Sequence, residues 1–296
     1  MKIVFRADDV GYTHVHNLGT LQAIENGVVS DCECMFDWEG VKEMLQYLSD
    51  KPWISVGWHT HMWGRPVLDP SEVPSLVNEN GDFKWKRINQ CDHPVEGVRY
   101  DEMLKEFRAQ MELCKKYLGR YPDIHYGNKP TNNEKDAAIM QVVEELGIPY
   151  GFMNNERHGR VTKAREEYQH LNIWGTMETL PREDLVVLPG HKSTLNVLNF
   201  LKYDPEEAIL KMPIDDSKIM VKILHPGYLD DTVLREQSCN IHRVKDVEVF
   251  TSPNVKQWII ENKIEIVNQY DAIFGTTRFQ DHLKEIGSPL WAGNFK

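Results

Sequence analysis

The sequence has no long apolar run and no secretory leader. No stretch of 18 apolar residues occurs in its 296 residues, so we expect no membrane-spanning helix and no membrane partner. The N-terminus lacks a basic segment followed by an apolar one, which is the pattern of a secretory signal. If Met1 is the native start, these absences predict a cytoplasmic protein.

Positive charge and cysteine are also scarce. The chain carries 34 Lys and Arg against 45 Asp and Glu, a formal net charge of −11. Because phosphate binding requires a basic surface, this balance argues against nucleic acid as a partner and disfavours a polyanionic substrate. The five cysteines are odd in number and scattered, which predicts reduced thiols. We expect Cys32 and Cys34 to be small buried residues rather than metal ligands.

The chain begins by alternating between strand and helix patterns. Short apolar, β-branched runs alternate with longer segments that carry an apolar stripe at helical spacing. A β-α-β-α-β order implies a parallel sheet. The predicted strands are residues 2–5, 28–36 and 53–58, and the predicted helices are residues 16–27 and 39–50.

Two long segments interrupt this alternation. Residues 63–98 are rich in proline, glycine and tryptophan, and residues 154–184 are polar and irregular. Loops of this length in a compact domain are usually functional or disordered, and the aromatic residues within 63–98 favour a function. Because no repeat or linker is visible, we predict a single domain over residues 1–296, an α/β barrel-like fold with these two insertions. Further strands are predicted at 122–126, 148–153, 184–188, 218–224 and 264–267, and further helices at 101–118, 133–146, 203–210, 252–261 and 269–274.

Two adjacent carboxylates, Asp8 and Asp9, end the first predicted strand, and Gly11 breaks it. Neighbouring carboxylates repel each other, and a metal cation beside them lowers that cost. In a regular strand the two side chains would point to opposite faces, but at a strand end that is already turning both can face one cleft. The alternative is a solvated Asp-Asp turn.

Three histidines, His59, His125 and His225, also follow predicted strands. In barrels of parallel strands, active sites form at the carboxyl-terminal ends of the strands. Two imidazoles and one carboxylate leave open coordination positions, which suits hydrolysis at a metal. A second carboxylate as base and a third histidine as acid would complete a hydrolase. His61 shares a strand face with His59 and is an alternative ligand, which we assign outside the ligand set.

Short motifs throughout the chain resemble the YdjC-like carbohydrate deacetylases, which are related to the polysaccharide deacetylases. The resemblance runs nearly end to end, in order and at sensible spacing. The matching residues are Ala7-Asp8-Asp9-Val10-Gly11, Gly57-Trp58-His59, Gly64-Arg65-Pro66-Val67, Asp123-Ile124-His125, His225-Pro226-Gly227-Tyr228, Arg243 with Asp246, and Thr251-Ser252-Pro253.

This resemblance implies a distorted TIM-like (β/α) barrel and a role for each strand-end residue. It makes Asp8 the general base and His225 the general acid. Asp9, His59 and His125 become ligands of a divalent metal ion, Mg²⁺ in first place and Zn²⁺ as the alternative. The sequence departs from the family at three positions: Val10 replaces a usual Phe, Trp58 replaces a smaller aliphatic residue, and Gly127 stands where many members carry a second histidine.

The predicted function is therefore a metal-dependent hydrolase that removes acetyl groups from N-acetylated mono- or oligosaccharides. Trp58, Trp63 and Trp85 either stack on sugar rings or pack the long loop. A non-haem iron oxygenase is one alternative, because two histidines and one carboxylate also suit Fe(II). A non-catalytic sugar- or metal-binding protein is the other. The identity of the sugar, its phosphorylation and assembly into a homodimer are left open.

Overall fold

The computed structural model describes residues 1–85, 95–127, 133–157, 160–177, 197–237 and 239–295. The strands of these segments are β1 (Lys2–Val10), β2 (Asp31–Cys34), β3 (Ser55–Trp58), β4 (Asn154–Arg157), β5 (Arg160–Thr162), β6 (Ile173–Met177), β7 (Ile219–Leu224) and β8 (Glu265–Ile266). The α-helices are α1 (His14–Glu25), α2 (Val41–Leu48), α3 (Tyr100–Leu118), α4 (Glu134–Glu145), α5 (Val197–Lys202), α6 (Pro205–Leu210), α7 (Asp231–Glu236), α8 (Arg243–Thr251), α9 (Pro253–Glu261), α10 (Gln269–Phe274) and α11 (Arg278–Glu285). Short 3₁₀ helices lie at Pro70–Glu72, Glu166–Leu171 and Ala292–Asn294.

The strands form one mostly parallel sheet in the order β3-β2-β1-β7-β6-β4-β5, with β8 paired to the start of β1. Among the paired strands of the described segments, β4 and β5 are the antiparallel pair. The predicted α/β architecture with a parallel sheet is confirmed. Within the described segments the sheet is not closed into a barrel. Two isolated parallel bridges, Gly57 to Ile124 and His125 to Tyr150, continue beyond β3.

Strand β1 lies at the centre of the sheet and separates two cores. Ile3 and Phe5 face the larger core, which the helices cover, and Val4 faces a smaller core on the opposite face. This alternation is the period-two pattern of a strand buried on both faces. Arg6 shares the face of Val4, and its ladder partners are Asp31 on one side and Ile223 on the other. The smaller-core face therefore becomes polar toward the carboxyl end of the strands.

The helix boundaries agree closely with the predicted ones where capping signals exist. The side chain of Thr13 accepts a hydrogen bond from the backbone N–H of His16, so α1 begins at His14, slightly before the predicted start at residue 16. Ser252 caps α9, whose first residue is Pro253. Both caps satisfy N–H groups that a helix start leaves unpaired. Among the helices of the described segments, none combines the length and apolar character needed to cross a bilayer.

Residues 154–177 differ from the prediction of an irregular insertion. They contain β4, β5 and the central strand β6, which pairs with β7 from Ile173 to Met177. Strand β6 was missed because its sequence, Ile-Trp-Gly-Thr-Met, has little apolar alternation and a central glycine. A Cβ at Gly175 would lie 2.6 Å from the sulfur of Met153, so the glycine admits a neighbouring side chain. The strand predicted at 184–188 lies outside the described residues.

Candidate functional site

A β-bulge near the end of β1 contains both adjacent carboxylates, Asp8 and Asp9. In the ladder Ala7 pairs with Cys32 and Val10 with Cys34, so Asp8 and Asp9 together oppose a single residue of β2. Asp9 adopts a left-handed backbone conformation with φ of 60°. Such a bulge breaks the strict alternation of side chains. Asp8 and Asp9 are 6% and 4% exposed, which excludes the solvated turn.

One oxygen of Asp9 faces a pair of histidines that follow β3. Asp9 Oδ1 lies 3.0 Å from His59 Nε2 and 3.6 Å from His61 Nε2. The two imidazole rings pack edge to face with centroids 4.0 Å apart. Within the described part of the chain, these three residues form the group whose donor atoms lie within 4.8 Å of one another. One carboxylate and two imidazoles are a donor set that suits a divalent cation.

The other oxygen of Asp9 faces two residues that come from later in the chain. Arg243 Nη2 donates to Asp9 Oδ2 over 2.6 Å, and His225 Nε2 lies 4.0 Å from the same oxygen. Burial alone would raise the pKa of Asp9, but Arg243, with His59, His61 and His225, outweighs it and holds that pKa well below its usual value. Asp9 is therefore an anion when folded, which is the form in which a carboxyl group ligates a metal.

The first turn of α8 holds both Asp9 and His225. Arg243 is fully buried at the start of this helix and also lies 3.2 Å from His16 Nε2. One turn later, Asp246 accepts the backbone N–H of His225 over 2.8 Å and the hydroxyl of Tyr203 over 2.7 Å. Because residues three apart share a helix face, a single helix end holds both the carboxylate of Asp9 and the backbone of His225.

Asp8 belongs to a neighbouring buried network on the smaller-core face. Arg6, two residues earlier on the same strand, donates from Nε to Asp8 Oδ1, while Asp8 Oδ2 has no hydrogen-bond partner among the described residues. The Arg6 guanidinium stacks over the ring of Tyr126 at 3.5 Å, and the Tyr126 hydroxyl donates to Asp31. Burial, opposed by Arg6, raises the pKa of Asp31 to about 7. Arg6 thus orients Asp8 through one oxygen and leaves the other available.

His125 is not part of the Asp9 cluster, although we predicted it as the third ligand. Its Nδ1 lies 3.0 Å from the carbonyl oxygen of Trp58, so Nδ1 carries the proton and Nε2 keeps its lone pair. A Cβ at Gly127 would lie 2.3 Å from that Nε2. Burial lowers the pKa values of both His125 and His61 to about 4, so both rings are neutral. His61, assigned outside the ligand set, lies inside the cluster.

The tryptophans divide between packing and the site. Trp58 and Trp85 are buried in the larger core, and Trp58 donates to Gln110 of α3 over 2.9 Å. Trp63 instead stacks on His61, with ring centroids 3.8 Å apart and planes 10° from parallel. Trp63 thus packs on a histidine of the Asp9 cluster, while the ring of Trp58 lies 5.5 Å from that of His125.

Glu33 is the residue of the site that sequence reasoning missed. It lies on β2, is fully buried, and its Oε2 is 3.6 Å from His59 Nδ1 and 3.8 Å from Arg6 Nη2. Burial raises its pKa well above the usual value, with Arg6 acting against it. Two acids at Asp31 and Glu33, on one face of a strand in a central position, were the signal available in the sequence.

Gly57 has no side chain and so leaves room for the Glu33 carboxyl group. The two residues are ladder partners, and a Cβ at Gly57 would lie 1.4 Å from Glu33 Oε1. We therefore expect Gly57→Ala to displace Glu33 and to lower the free energy of unfolding by about 1–3 kcal/mol, the usual cost of overpacking. Urea denaturation measures this loss. The same substitution in a Glu33→Ala background serves as the control and should cost much less, whereas an equal cost in both backgrounds would contradict the proposed clash.

Comparisons with known proteins found relatives that match this chain over nearly its whole length. A family model described as YdjC-like protein matches residues 2–261. The chain is 25% identical over 275 residues to carbohydrate deacetylase 2 of Listeria innocua, covering 92% of this chain and 98% of that protein. It is 28% identical over 278 residues to the carbohydrate deacetylase of Clostridium beijerinckii, covering 92% of this chain and 100% of that protein.

A solved structure shares the fold. It comes from Enterococcus faecalis and is described provisionally as a cellobiose-phosphate cleavage protein. The TM-score is 0.62 at 22% identity, with 92% of this chain and 98% of that chain covered.

Proposed function

We propose, from the premise that this chain belongs to the YdjC-like protein family, that it is a hydrolase removing acetyl groups from N-acetylated mono- or oligosaccharides. The observation that carries the proposal is the arrangement around Asp9 at the carboxyl edge of the sheet. There, a buried carboxylate faces two imidazoles through one oxygen and His225 through the other. The names of the relatives in Listeria innocua and Clostridium beijerinckii support the same reaction.

The residues around Asp9 fit a divalent cation. Asp9 is anionic, while His61 and His125 are neutral because burial lowers their pKa values. We propose Asp9, His59 and His125 as the ligands and His61 as a further donor beside them. Such an ion, when bound, polarises an acetamide carbonyl and makes a water molecule more acidic. The family resemblance suggests Mg²⁺, whereas the imidazole donors favour Zn²⁺.

The protein's own groups supply the proton transfers. Asp8, held through Oδ1 by Arg6, accepts a proton from the attacking water at Oδ2. His225, whose backbone N–H is fixed by Asp246, donates a proton to the departing amine. Arg243 holds Asp9 in place and keeps it charged. These roles place the base and the acid on different strands, β1 and the end of β7.

We also propose that residues 1–296 form a single domain and that its sheet approaches a distorted barrel. Two bridges support this geometry: Gly57 pairs with Ile124 and His125 pairs with Tyr150. The chain after Tyr150 leads into β4, which already pairs with β6. This series of contacts would join the β3 edge to the opposite end of the sheet.

The third ligand can be identified by comparing two alanine variants. We expect His125→Ala to weaken Zn²⁺ binding by about 100-fold and His61→Ala by about tenfold or less, because a lost ligand costs more than a lost neighbour. Isothermal titration calorimetry of the metal-free variants measures both. The reverse order would make Asp9, His59 and His61 the ligand set.

An acetate-release assay tests the proposed activity. N-acetylated mono- and disaccharides are incubated with the metal-free protein, with and without added Mg²⁺ or Zn²⁺, and the Asp8→Asn variant is the matched control. We expect acetate release only with metal and only from the wild type. Full activity in a chelated sample would contradict the metal centre. A dependence on oxygen would favour the iron oxygenase, which the same donor set would also suit.

A further inference from the structure

Glu33 carries a carboxyl group that the sheet itself leaves without hydrogen bonds. Neither of its oxygens has a hydrogen-bond partner among the described residues. A buried acceptor left unpaired costs about 1–3 kcal/mol. The carboxyl nevertheless occupies the space over Gly57 that a larger residue there would need. The free-energy cost of this unpaired carboxyl group indicates that Glu33 has a functional hydrogen-bond partner.

The ring of His59 lies between two carboxylates. Its Nε2 faces Asp9 Oδ1 at 3.0 Å and its Nδ1 faces Glu33 Oε2 at 3.6 Å. The bulge of β1 sets this arrangement, because Asp8 and Asp9 oppose the position of Glu33 in the ladder. Glu33, Gly57 and His59 lie on one face, since Glu33 pairs with Gly57 and His59 follows two residues later.

We propose that Glu33 is a positioning residue for His59. Its carboxyl accepts a hydrogen bond from Nδ1–H, which keeps the proton off Nε2 and directs that lone pair toward the metal. The inference rests on the metal centre of the proposed function. It does not depend on the charge of Glu33, because a carboxylate and a carboxylic acid both offer an acceptor oxygen. Metal-bound histidines commonly donate their second N–H in this way.

The competing explanation is that Glu33 merely balances the charge of Arg6. Arg6 Nη2 is 3.8 Å from Glu33, whereas its Nε hydrogen-bonds directly to Asp8. Asp31, the ladder partner of Arg6, instead accepts hydrogen bonds from Ser55 and Tyr126. Arg6 therefore has one closer carboxyl group, that of Asp8. Glu33 Oε2 lies closer to His59 Nδ1, at 3.6 Å, than to Arg6 Nη2, at 3.8 Å, which favours His59 as the partner of Glu33.

Two uncharged substitutions separate the explanations. Glu33→Met and Glu33→Gln both remove the charge, but only Gln keeps an acceptor oxygen. We expect Glu33→Met to weaken Zn²⁺ binding by about 10–100-fold and Glu33→Gln to retain affinity within about threefold of the wild type, as measured by isothermal titration calorimetry. Equal losses in the two variants, or wild-type affinity in Glu33→Met, would overturn the proposal.

A matched control and a structural measurement complete the test. Asp31→Asn removes a buried carboxyl of the same strand that contacts Ser55 and Tyr126, and it should leave Zn²⁺ affinity within about twofold while lowering the melting temperature. A crystal structure of the Zn²⁺-loaded wild type keeps the test open if Glu33→Met does not fold. There the Nδ1–Oε2 distance should fall below about 3.2 Å, and a longer separation would overturn the role of Glu33. A wild type that binds no metal would overturn the metal centre as well.

Discussion

Asp8→Asn is expected to lower kcat for deacetylation by about 10²–10⁴, the usual effect of losing a general base. The amide keeps the shape of the side chain and an oxygen that accepts from Arg6 Nε, as Asp8 Oδ1 does now. It cannot take a proton from water at the second position. Steady-state kinetics on an N-acetylated sugar, together with metal titration, measures both properties.

The division of labour between the adjacent aspartates makes this prediction specific. Asp9→Ala removes a group that faces His59 and His61 and should lose the metal together with activity. Asp8→Asn should lose activity and retain the metal with wild-type affinity. If Asp8→Asn instead released the metal, the assignment of base and ligand to Asp8 and Asp9 would be wrong.

His225→Ala is expected to lower kcat on an N-acetylated sugar by about 10²–10⁴, the range for losing a general acid. An amine leaves poorly without a proton, whereas the alcohol of an activated acetate ester leaves without one. The His225→Ala variant should therefore lose much less activity on the ester than on the amide. The ring lies 4.0 Å from Asp9 Oδ2, so metal affinity should be nearly unchanged if its task is proton donation.

A surface histidine provides the control for this variant. His170 lies exposed on the 3₁₀ helix Glu166–Leu171, and His170→Ala should behave as the wild type on both substrates. An equal loss on amide and ester in His225→Ala would mean that the residue binds substrate or supports the fold. In that case Asp246, which holds its backbone N–H, would serve the fold as well.

Strand β1 shows which features of the fold can be predicted from the local sequence. The apolar, β-branched run of residues 2–5 predicted a short buried strand that leads into Asp8 and Asp9, and the structure contains a longer one, β1, which continues to Val10. The same reasoning located His59 and His225 after their strands. These predictions succeeded because strand periodicity and the common edge of a parallel sheet are properties of neighbouring residues and of chain order. Strand β6 was not predicted by this reasoning. Its place in the sheet comes from pairing with β4 and β7 rather than from an apolar run of its own.

The partners of the strand-end residues depended on contacts between distant parts of the chain. The spacing of Arg6 and Asp8 on one strand face was readable from the sequence, but the stacking of Arg6 on Tyr126 was not. Arg243 reaches Asp9 across 234 positions, and His61 joined the Asp9 cluster while His125 turned its Nδ1 to Trp58. The sequence by itself determined which residues lie at or just after the ends of β1, β3 and β7, because an apolar, β-branched run is a property of neighbouring residues. The tertiary structure decided which atoms of those residues face one another, because a bulge, a ring orientation and a helix end each depend on packing between segments far apart in the chain.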